Sequence, residues 1–234
     1  MMKFIYMFGA ATYDQIRQKF FAGRHPSAAT GRIRTLRKAG YLQPFWYVKD
    51  ERSQRCVKLR GKSAPVIEHL WKERIDDPSF EIESFDRALC MNDLALGFEK
   101  LRLFDRMLSS RIIKGSSALS NEVSYRVLRW QMPDGVLELK KEGHTFRFPI
   151  ELEFGSKTRE HYERKLRGYY EDGAIDGILF LCTHNETMDT IAKVDADVRR
   201  DENSIVYLAL SSSVLRIPDR LYFTSCTGTR IGLD

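Results

Sequence analysis

The amino-terminal third of the chain begins with an amphipathic helical pattern. Ile16, Phe20 and Phe21 recur at helical spacing, and Thr12 precedes them as a residue that can cap a helix start. The sequence therefore predicts a helix over residues 12–21, with turn-forming residues after it.

A second helical pattern is apolar on one face and basic on the other. Ala29, Ile33 and Leu36 share the apolar face, and Gly40 ends the pattern. The opposite face and its flanks carry the polar and basic residues Ser27, Arg32, Arg34, Arg37 and Lys38. Such a helix packs on its domain through one side and presents positive charge on the other.

Two short strands are predicted next, at residues 45–49 and 55–59, around a polar turn. Helix, turn, basic helix and hairpin are the parts of a winged helix-turn-helix, whose second helix enters the major groove of DNA. We expect Arg34 and Lys38 to face the groove. The expected phosphate contacts are Arg32, Arg37, Arg55 and Lys58. A winged helix that contacts protein instead is the alternative.

The positive charge of the chain is concentrated at this end. Residues 1–62 hold 14 Lys and Arg against 3 Asp and Glu, a net charge of +11, whereas the whole chain carries +6. Because each cation near a phosphate releases condensed counterions, this asymmetry favours a polyanionic partner. A solvated basic surface is the simpler alternative.

The remainder of the chain predicts a mixed domain of helices and strands. Its pattern predicts a long amphipathic helix at 85–108, strands at 120–130, 135–140 and 146–154, a helix at 158–172 and buried strands within 175–183 and 204–210. We expect a DNA-binding domain at residues 1–74, a linker at 75–84 and an α/β domain at 85–234.

Three carboxylates in this domain are candidates for metal binding. Strict alternation along residues 146–154 places Glu151 and Glu153 on one face of a strand. Asp134 lies at a turn entering the preceding strand and can approach Glu151 if the two strands pair. Converging carboxylates bind Mg²⁺ through oxygen. The alternative is the polar face of an ordinary strand.

These motifs resemble those of a known nuclease class. Pro133-Asp134, then Glu151-Leu152-Glu153 and a basic helix resemble the PD-(D/E)XK nuclease core, with its α-β-β-β-α-β order. With the amino-terminal winged helix, residues 10–210 more narrowly resemble the replication-relaxation family of plasmid- and phage-associated proteins, which includes mobilisation proteins of the MobC type.

The resemblance implies an α+β protein with a winged helix-turn-helix followed by a nuclease-like domain with a mixed central sheet. It implies DNA nicking that depends on Mg²⁺ or Mn²⁺, in the processing of mobile-element DNA. The implied metal ligands are Asp134, Glu151 and Glu153. The nuclease pattern has a lysine where Glu153 stands, and Lys165 on the following helix is the candidate replacement.

Other residues are alternatives for these roles. Lys157 and Arg159 are nearer replacements for the missing lysine, and Asp93 or Glu99 is a further carboxylate candidate. Tyr169-Tyr170 fits either a relaxase-like nucleophile or core packing, and helical phase with Tyr162 favours packing.

A function without catalysis is the main alternative. The chain would then be a transcription or replication regulator whose second domain, a degenerate nuclease, mediates dimerisation or partner binding. Double-stranded DNA and a second copy of the chain are the expected partners. The sequence has no phosphate-cradling GxxxxGK[ST] motif, no apolar stretch of membrane-spanning length and no paired cysteine spacing, so we expect no nucleotide cofactor, no membrane and a cytoplasmic location.

Overall fold

The protein is an α+β structure that divides into two compact units. A computed structural model describes residues 1–49, 51–71, 82, 84–116, 119, 122–171, 175–199, 202–216 and 222–232. Unit 1 comprises Met1–Leu96 and Gly115–Ser117, and unit 2 comprises Gly97–Lys114 and Ala118–Asp234. The expected α+β class and mixed sheet are confirmed. Within these described ranges, no helix has the length and apolar character needed to cross a membrane.

Unit 1 combines helices with a three-stranded antiparallel sheet. Its helices are α1 (Met2–Phe8), α2 (Tyr13–Phe20), α3 (Ser27–Lys38), α4 (Ala64–Trp71) and the first part of α5 (Phe85–Phe98). Its strands are β1 (Ala10–Thr12), β2 (Leu42–Lys49) and β3 (Arg52–Leu59), in the spatial order β1-β3-β2. The chain therefore runs from two helices into a hairpin, as the hydrophobic pattern predicts.

Local chemistry explains where α2 begins. The Thr12 hydroxyl accepts a hydrogen bond from the Gln15 backbone N–H at 3.0 Å, and the Gln15 side chain accepts one from the Thr12 N–H at 3.0 Å. This capping box satisfies two amide donors that the first helical turn leaves unpaired.

Residues of α5 also belong to the core of unit 1. The Asn92 side chain donates to the Ala10 carbonyl at 2.6 Å, and the Gln15 side chain donates to the Leu89 carbonyl at 2.9 Å. Because these polar groups are buried, the bonds fix the register of α5 against β1 and α2.

Unit 2 is built on a seven-stranded mixed sheet. The strands are β4 (Phe104–Ser109), β5 (Gly135–Lys141), β6 (His144–Glu153), β7 (Ile178–Cys182), β8 (Val206–Leu210), β9 (Tyr222–Ser225) and β10 (Arg230–Gly232), in the order β10-β9-β8-β7-β6-β5-β4. Strands β6, β7 and β8 are parallel, and the other neighbouring pairs are antiparallel. The helices are α6 (Ser110–Gly115), α7 (Arg126–Gln131), α8 (Arg159–Tyr170), α9 (Asn185–Val198) and α10 (Ser211–Arg216).

The β5–β6 hairpin positions the acidic residues of unit 2. Glu142 and Gly143, with φ of 52° and 85°, form its turn, and Gly135 pairs with Ile150 at its far end. Every residue of β6 from Phe148 to Glu153 is buried. The strand is therefore covered on both faces, and the glutamate face is not a solvent-exposed one.

Two secondary-structure predictions for this part of the chain are wrong. The helix predicted over 85–108 ends at Phe98, because residues 104–109 form β4 and pair with β5, where Leu108 lies opposite Val136. The described residues of the strand predicted at 120–130 form a 3₁₀ turn and α7. Tyr125 and Leu128, three positions apart, are buried there at helical spacing.

The predicted linker at 75–84 lies outside the described residues, apart from residues 82 and 84.

Candidate functional site

The first candidate surface is the exposed face of α3 in unit 1. Ile33 and Leu36 are buried beneath the helix, at 1% and 8% exposure. The exposed residues on the other side are Ser27, Arg32, Arg34, Arg37 and Lys38. Packing of the apolar face therefore holds these cationic side chains outward, in the arrangement that the sequence predicts.

The β2–β3 hairpin carries two more of the predicted DNA contacts. Arg55 is exposed, and its guanidinium carbon lies 4.7 Å from the Tyr13 ring centroid and 5.6 Å from that of Trp46. Lys58 is half-buried, three positions further along the strand. An odd spacing along a strand places two side chains on opposite faces, so Arg55 and Lys58 point in different directions.

The second candidate site lies at one end of the β5–β6 hairpin in unit 2. The Asp134 N–H donates to the Ile150 carbonyl at 3.0 Å, and a carboxylate oxygen of Asp134 accepts from the Leu152 N–H at 2.8 Å. These two bonds hold Asp134 against the segment that contains Glu151. The pairing of the two strands thus produces the predicted approach of the two carboxylates.

Glu151 is buried and held by helix α8. One carboxylate oxygen accepts from the Lys165 ammonium at 2.5 Å, and the other accepts from the Tyr169 hydroxyl at 2.6 Å. Lys165 and Tyr169 are one helical turn apart, so both reach the same carboxylate. Burial raises the pKa of Glu151 to about 7, and the charge of Asp134 adds to the rise, against the effect of Lys165.

Glu153 has a different set of partners. It accepts from the Lys157 ammonium at 3.2 Å and from the Tyr162 hydroxyl at 3.4 Å, and it is 1% exposed. Asp134 and Lys165 are thus both neighbours of Glu151, whereas Glu153 is paired with Lys157. The described part of the chain contains no group of three or more His, Cys, Asp or Glu side chains that could hold a metal ion.

The remaining sequence candidates lie elsewhere. Arg159 pairs with Asp197. Asp93 accepts from the Gln15 side chain at 2.7 Å within unit 1, and Glu99 is exposed. Tyr169 is fully buried, and burial beside Glu151 raises its pKa well above the ordinary value, so its hydroxyl is held as a hydrogen-bond donor.

Sequence reasoning missed a second buried acidic group, centred on Glu138 of β5. Glu138 is 1% exposed and accepts from Arg106 at 2.5 Å and from Arg147 at 3.0 Å. The Tyr125 hydroxyl donates to the same carboxylate. Glu138 lies directly opposite Arg147 in the strand register. The available sequence signal was that Glu138 stands between Leu137 and Leu139. Alternation along the strand places the glutamate on the opposite face from the two leucines.

Asp134 and Glu151 form a donor set that suits a hard divalent cation. Magnesium sites in proteins commonly use one or two carboxylates and complete the coordination with water and phosphate oxygens. A cation held by Glu151 would share that carboxylate with Lys165 and Tyr169, which already occupy its two oxygens. Each carboxylate oxygen has two lone pairs, so Glu151 can accept from these two donors and still offer a lone pair to a cation, and on this chemistry the residues fit a two-carboxylate site.

Comparison of the chain with protein-family models, with curated proteins and with solved structures gives no match.

Proposed function

We propose that this chain binds double-stranded DNA through unit 1. Helix α3 enters the major groove, where Arg34 and Lys38 face the bases. The phosphate contacts come from Arg32, Arg37 and Arg55, and Ser27 donates at the start of the helix. Lys58, which the sequence also predicted as a phosphate contact, is half-buried on the opposite face of β3 from Arg55 and is left out of this proposal. In this proposal unit 1 is a winged helix-turn-helix, and the chain is a member of the replication-relaxation family.

The observation that carries the proposal is the two-sided character of α3. Its apolar face is buried and its opposite face exposes four Lys and Arg side chains, with no acidic residue between Ser27 and Lys38. The order α2, α3, β2, β3 supports the same docking geometry, because the second helix of such a motif reads the groove and the hairpin contacts the backbone.

Alanine at both Arg34 and Lys38 tests this proposal. We expect affinity for duplex DNA to fall by roughly tenfold or more, since a base-contacting arginine contributes on the order of 1–3 kcal/mol. The matched control is alanine at both Lys140 and Lys141, which removes the same charge from exposed positions of unit 2. Fluorescence anisotropy across a salt titration gives both affinities. Equal losses in the two variants would mean that only net charge matters and that α3 does not enter the groove.

Strand nicking by unit 2 is a second candidate function, favoured by the convergence of Asp134, Glu151 and Lys165. Asp134 and Glu151 would hold Mg²⁺ or Mn²⁺. The resemblance to PD-(D/E)XK nucleases supports this role. The chain order of α5, β4, β5, β6, α8 and β7 supports it as well, with α6 and α7 as additional helices between β4 and β5. The first strand in this order is β4, whereas the sequence predicted that the first strand would be formed by residues 120–130.

The side chains have distinct roles in this second candidate. When bound, the divalent cation supplies Lewis-acid polarisation of a phosphodiester. The Leu152 N–H orients the Asp134 carboxylate, and Tyr169 orients Glu151. Lys165 places an ammonium charge beside the pair, where it would stabilise negative charge that develops on the phosphate.

Supercoiled plasmid incubated with Mg²⁺ or Mn²⁺ tests the second candidate. We expect the natural protein to convert the plasmid to nicked open circles. We expect no open circles from Asp134→Asn or from Lys165→Met. Asparagine keeps an oxygen that accepts from the Leu152 N–H. Glu163→Gln is the control, because Glu163 is on the same helix and pairs with Arg167 in solvent. Intact duplex binding without any cleavage would instead indicate that the protein is a regulator that uses unit 2 for dimerisation or partner contact.

A further inference from the structure

The β2–β3 hairpin exposes an aromatic and aliphatic surface that duplex binding does not use. Trp46 and Val48 each keep 64% of their accessible surface, which is high for side chains of this type. They are two positions apart on β2 and so lie on the same face of the hairpin. We call this face the Trp46 surface.

The outward direction of Trp46 is set by its neighbours on the strand. Phe45 and Tyr47 point the other way and contact Phe85 of α5, with ring centroids 4.8 Å and 5.7 Å apart. Since alternate residues of a strand face opposite sides, Trp46 and Val48 face away from Phe85. The direction of the Trp46 and Val48 side chains therefore follows from the strand position that packs Phe45 and Tyr47 on Phe85.

A stacked arginine supports the indole ring. Arg55 lies directly opposite Trp46 in the strand register, and its guanidinium carbon lies within about 6 Å of both ring centroids, 5.6 Å from that of Trp46 and 4.7 Å from that of Tyr13. Cation–π contacts of this kind restrict the rotation of both partners. The result is a positioned indole with a positive charge beside it, in place of a freely rotating surface tryptophan.

The charge around the Trp46 surface favours a nucleic acid. Arg55 is exposed on the same face as Trp46, whereas Arg52 lies opposite Lys49 on the other face, and Glu51 is the only carboxylate among the described residues of the two strands and their turn. A cationic groove with an aromatic platform is the combination that binds unpaired nucleotides, because every base has a face that can stack. Paired bases within a duplex present only their edges to a protein.

We propose that Trp46 stacks on an unpaired base, so that this protein binds DNA where a duplex meets a single-stranded segment. The inference rests on the proposed duplex binding by α3 and adds the form of DNA that the hairpin selects. The duplex lies along α3, and the first unpaired base covers the indole, with Arg55 close to the adjacent phosphate.

The test compares three DNA molecules with the full-length chain. They are a blunt duplex, the same duplex with a single-stranded extension, and a longer blunt duplex with the same total number of phosphates. We expect the extended molecule to bind about tenfold more tightly than the phosphate-matched duplex, as one stacked base would give. The preference is the dissociation constant of the phosphate-matched duplex divided by that of the extended molecule. Because these two molecules carry the same number of phosphates, the ratio reports stacking and not charge.

Three variants assign that preference to the indole. Trp46→Ala is expected to bring the ratio close to one, and Trp46→Phe is expected to restore part of it because a smaller ring still stacks. Trp130→Ala is the matched control, since Trp130 is 75% exposed in unit 2. Its ratio should equal that of the natural protein.

The outcomes distinguish this inference from the proposed function. Failure to bind any duplex would remove the proposed function. Normal duplex binding with a ratio near one, or an unchanged ratio in Trp46→Ala, would overturn the stacking role alone. A change of molecular mass by light scattering in Trp46→Ala, with the DNA ratio unchanged, would make the Trp46 surface a contact between two copies of the chain and would also overturn it.

Discussion

Replacement of Glu138 by glutamine tests the buried ion network of unit 2. The natural carboxylate accepts from two guanidinium groups and one phenol, those of Arg106, Arg147 and Tyr125. Glutamine has nearly the same shape, but it carries no charge and presents an amide N–H₂ to one of these donors. The variant therefore leaves two cations without their counter-charge.

The structure sets the expected size of this effect. Removing one partner of a fully buried ion pair costs on the order of 3–5 kcal/mol. Glu138 is almost fully buried, but the side chains of Arg106 and Arg147 are 45% and 21% exposed, so solvent screens part of their charge. We therefore expect Glu138→Gln to lower the free energy of unfolding by about 2–3 kcal/mol at pH 7.

The effect should depend on pH in a defined direction. Burial alone would raise the pKa of Glu138, but the hydrogen bonds from Arg106 and Tyr125 and the nearby arginine charges outweigh it and lower the pKa below 4.5. A lowered pKa stabilises the folded state above the unfolded-state value and loses that contribution as the pH falls through the folded-state value. The difference between the natural protein and the variant should therefore narrow below about pH 4.5.

Urea-induced unfolding followed by circular dichroism measures this difference, and hydrogen exchange of β5 and β6 peptides assigns the transition to unit 2. The control is Glu163→Gln, whose carboxylate is exposed beside Arg167 and should contribute less than about 0.5 kcal/mol. A loss in Glu138→Gln no larger than in the control, or a difference that stays constant down to pH 3, would refute the reasoning.

Two further predictions concern the backbone. Thr12→Ala removes the hydroxyl half of the capping box with Gln15 and should destabilise unit 1 by about 1 kcal/mol in urea unfolding; an unchanged midpoint would contradict the capping role. At Gly177 an added Cβ would stand 2.6 Å from a ring carbon of Tyr207, so Gly177→Ala should cost about 1–3 kcal/mol of unit 2 stability in thermal unfolding. Gly155→Ala, which meets no atom within 4 Å, should be nearly neutral, and equal losses in the two variants would exclude the steric explanation.

The positions that could be predicted from the sequence depend on local pattern. Apolar residues at Ala29, Ile33 and Leu36 define one side of α3 and so place its basic residues outside. Thr12 and Gln15 mark the start of α2 by their own hydrogen-bonding chemistry. Alternation along residues 146–154 also predicted the face that Glu151 shares with Glu153.

Local pattern failed where pairing between distant strands decides the structure. Residues 104–109 continue a helical spacing of leucines, but the antiparallel pairing of β4 with β5 places them at the edge of a sheet. The residues around Tyr125 alternate as a strand would, yet they form helical turns whose Tyr125 hydroxyl reaches Glu138. Tertiary contacts override weak local preferences in such segments.

The sequence by itself determined which residues are cationic, apolar or acidic and which of them share a face of one helix or one strand. Only the tertiary structure decided the distant partners of the buried acidic residues: Glu151 contacts Lys165, and Glu138 contacts Arg106 and Arg147, whereas Glu153 contacts Lys157 only four residues along the chain. The physical reason is that hydrophobic periodicity describes one element at a time. The ion pairs of Glu151 with Lys165 and of Glu138 with Arg106 form only after separate helices and strands have packed together, at distances that no local pattern contains.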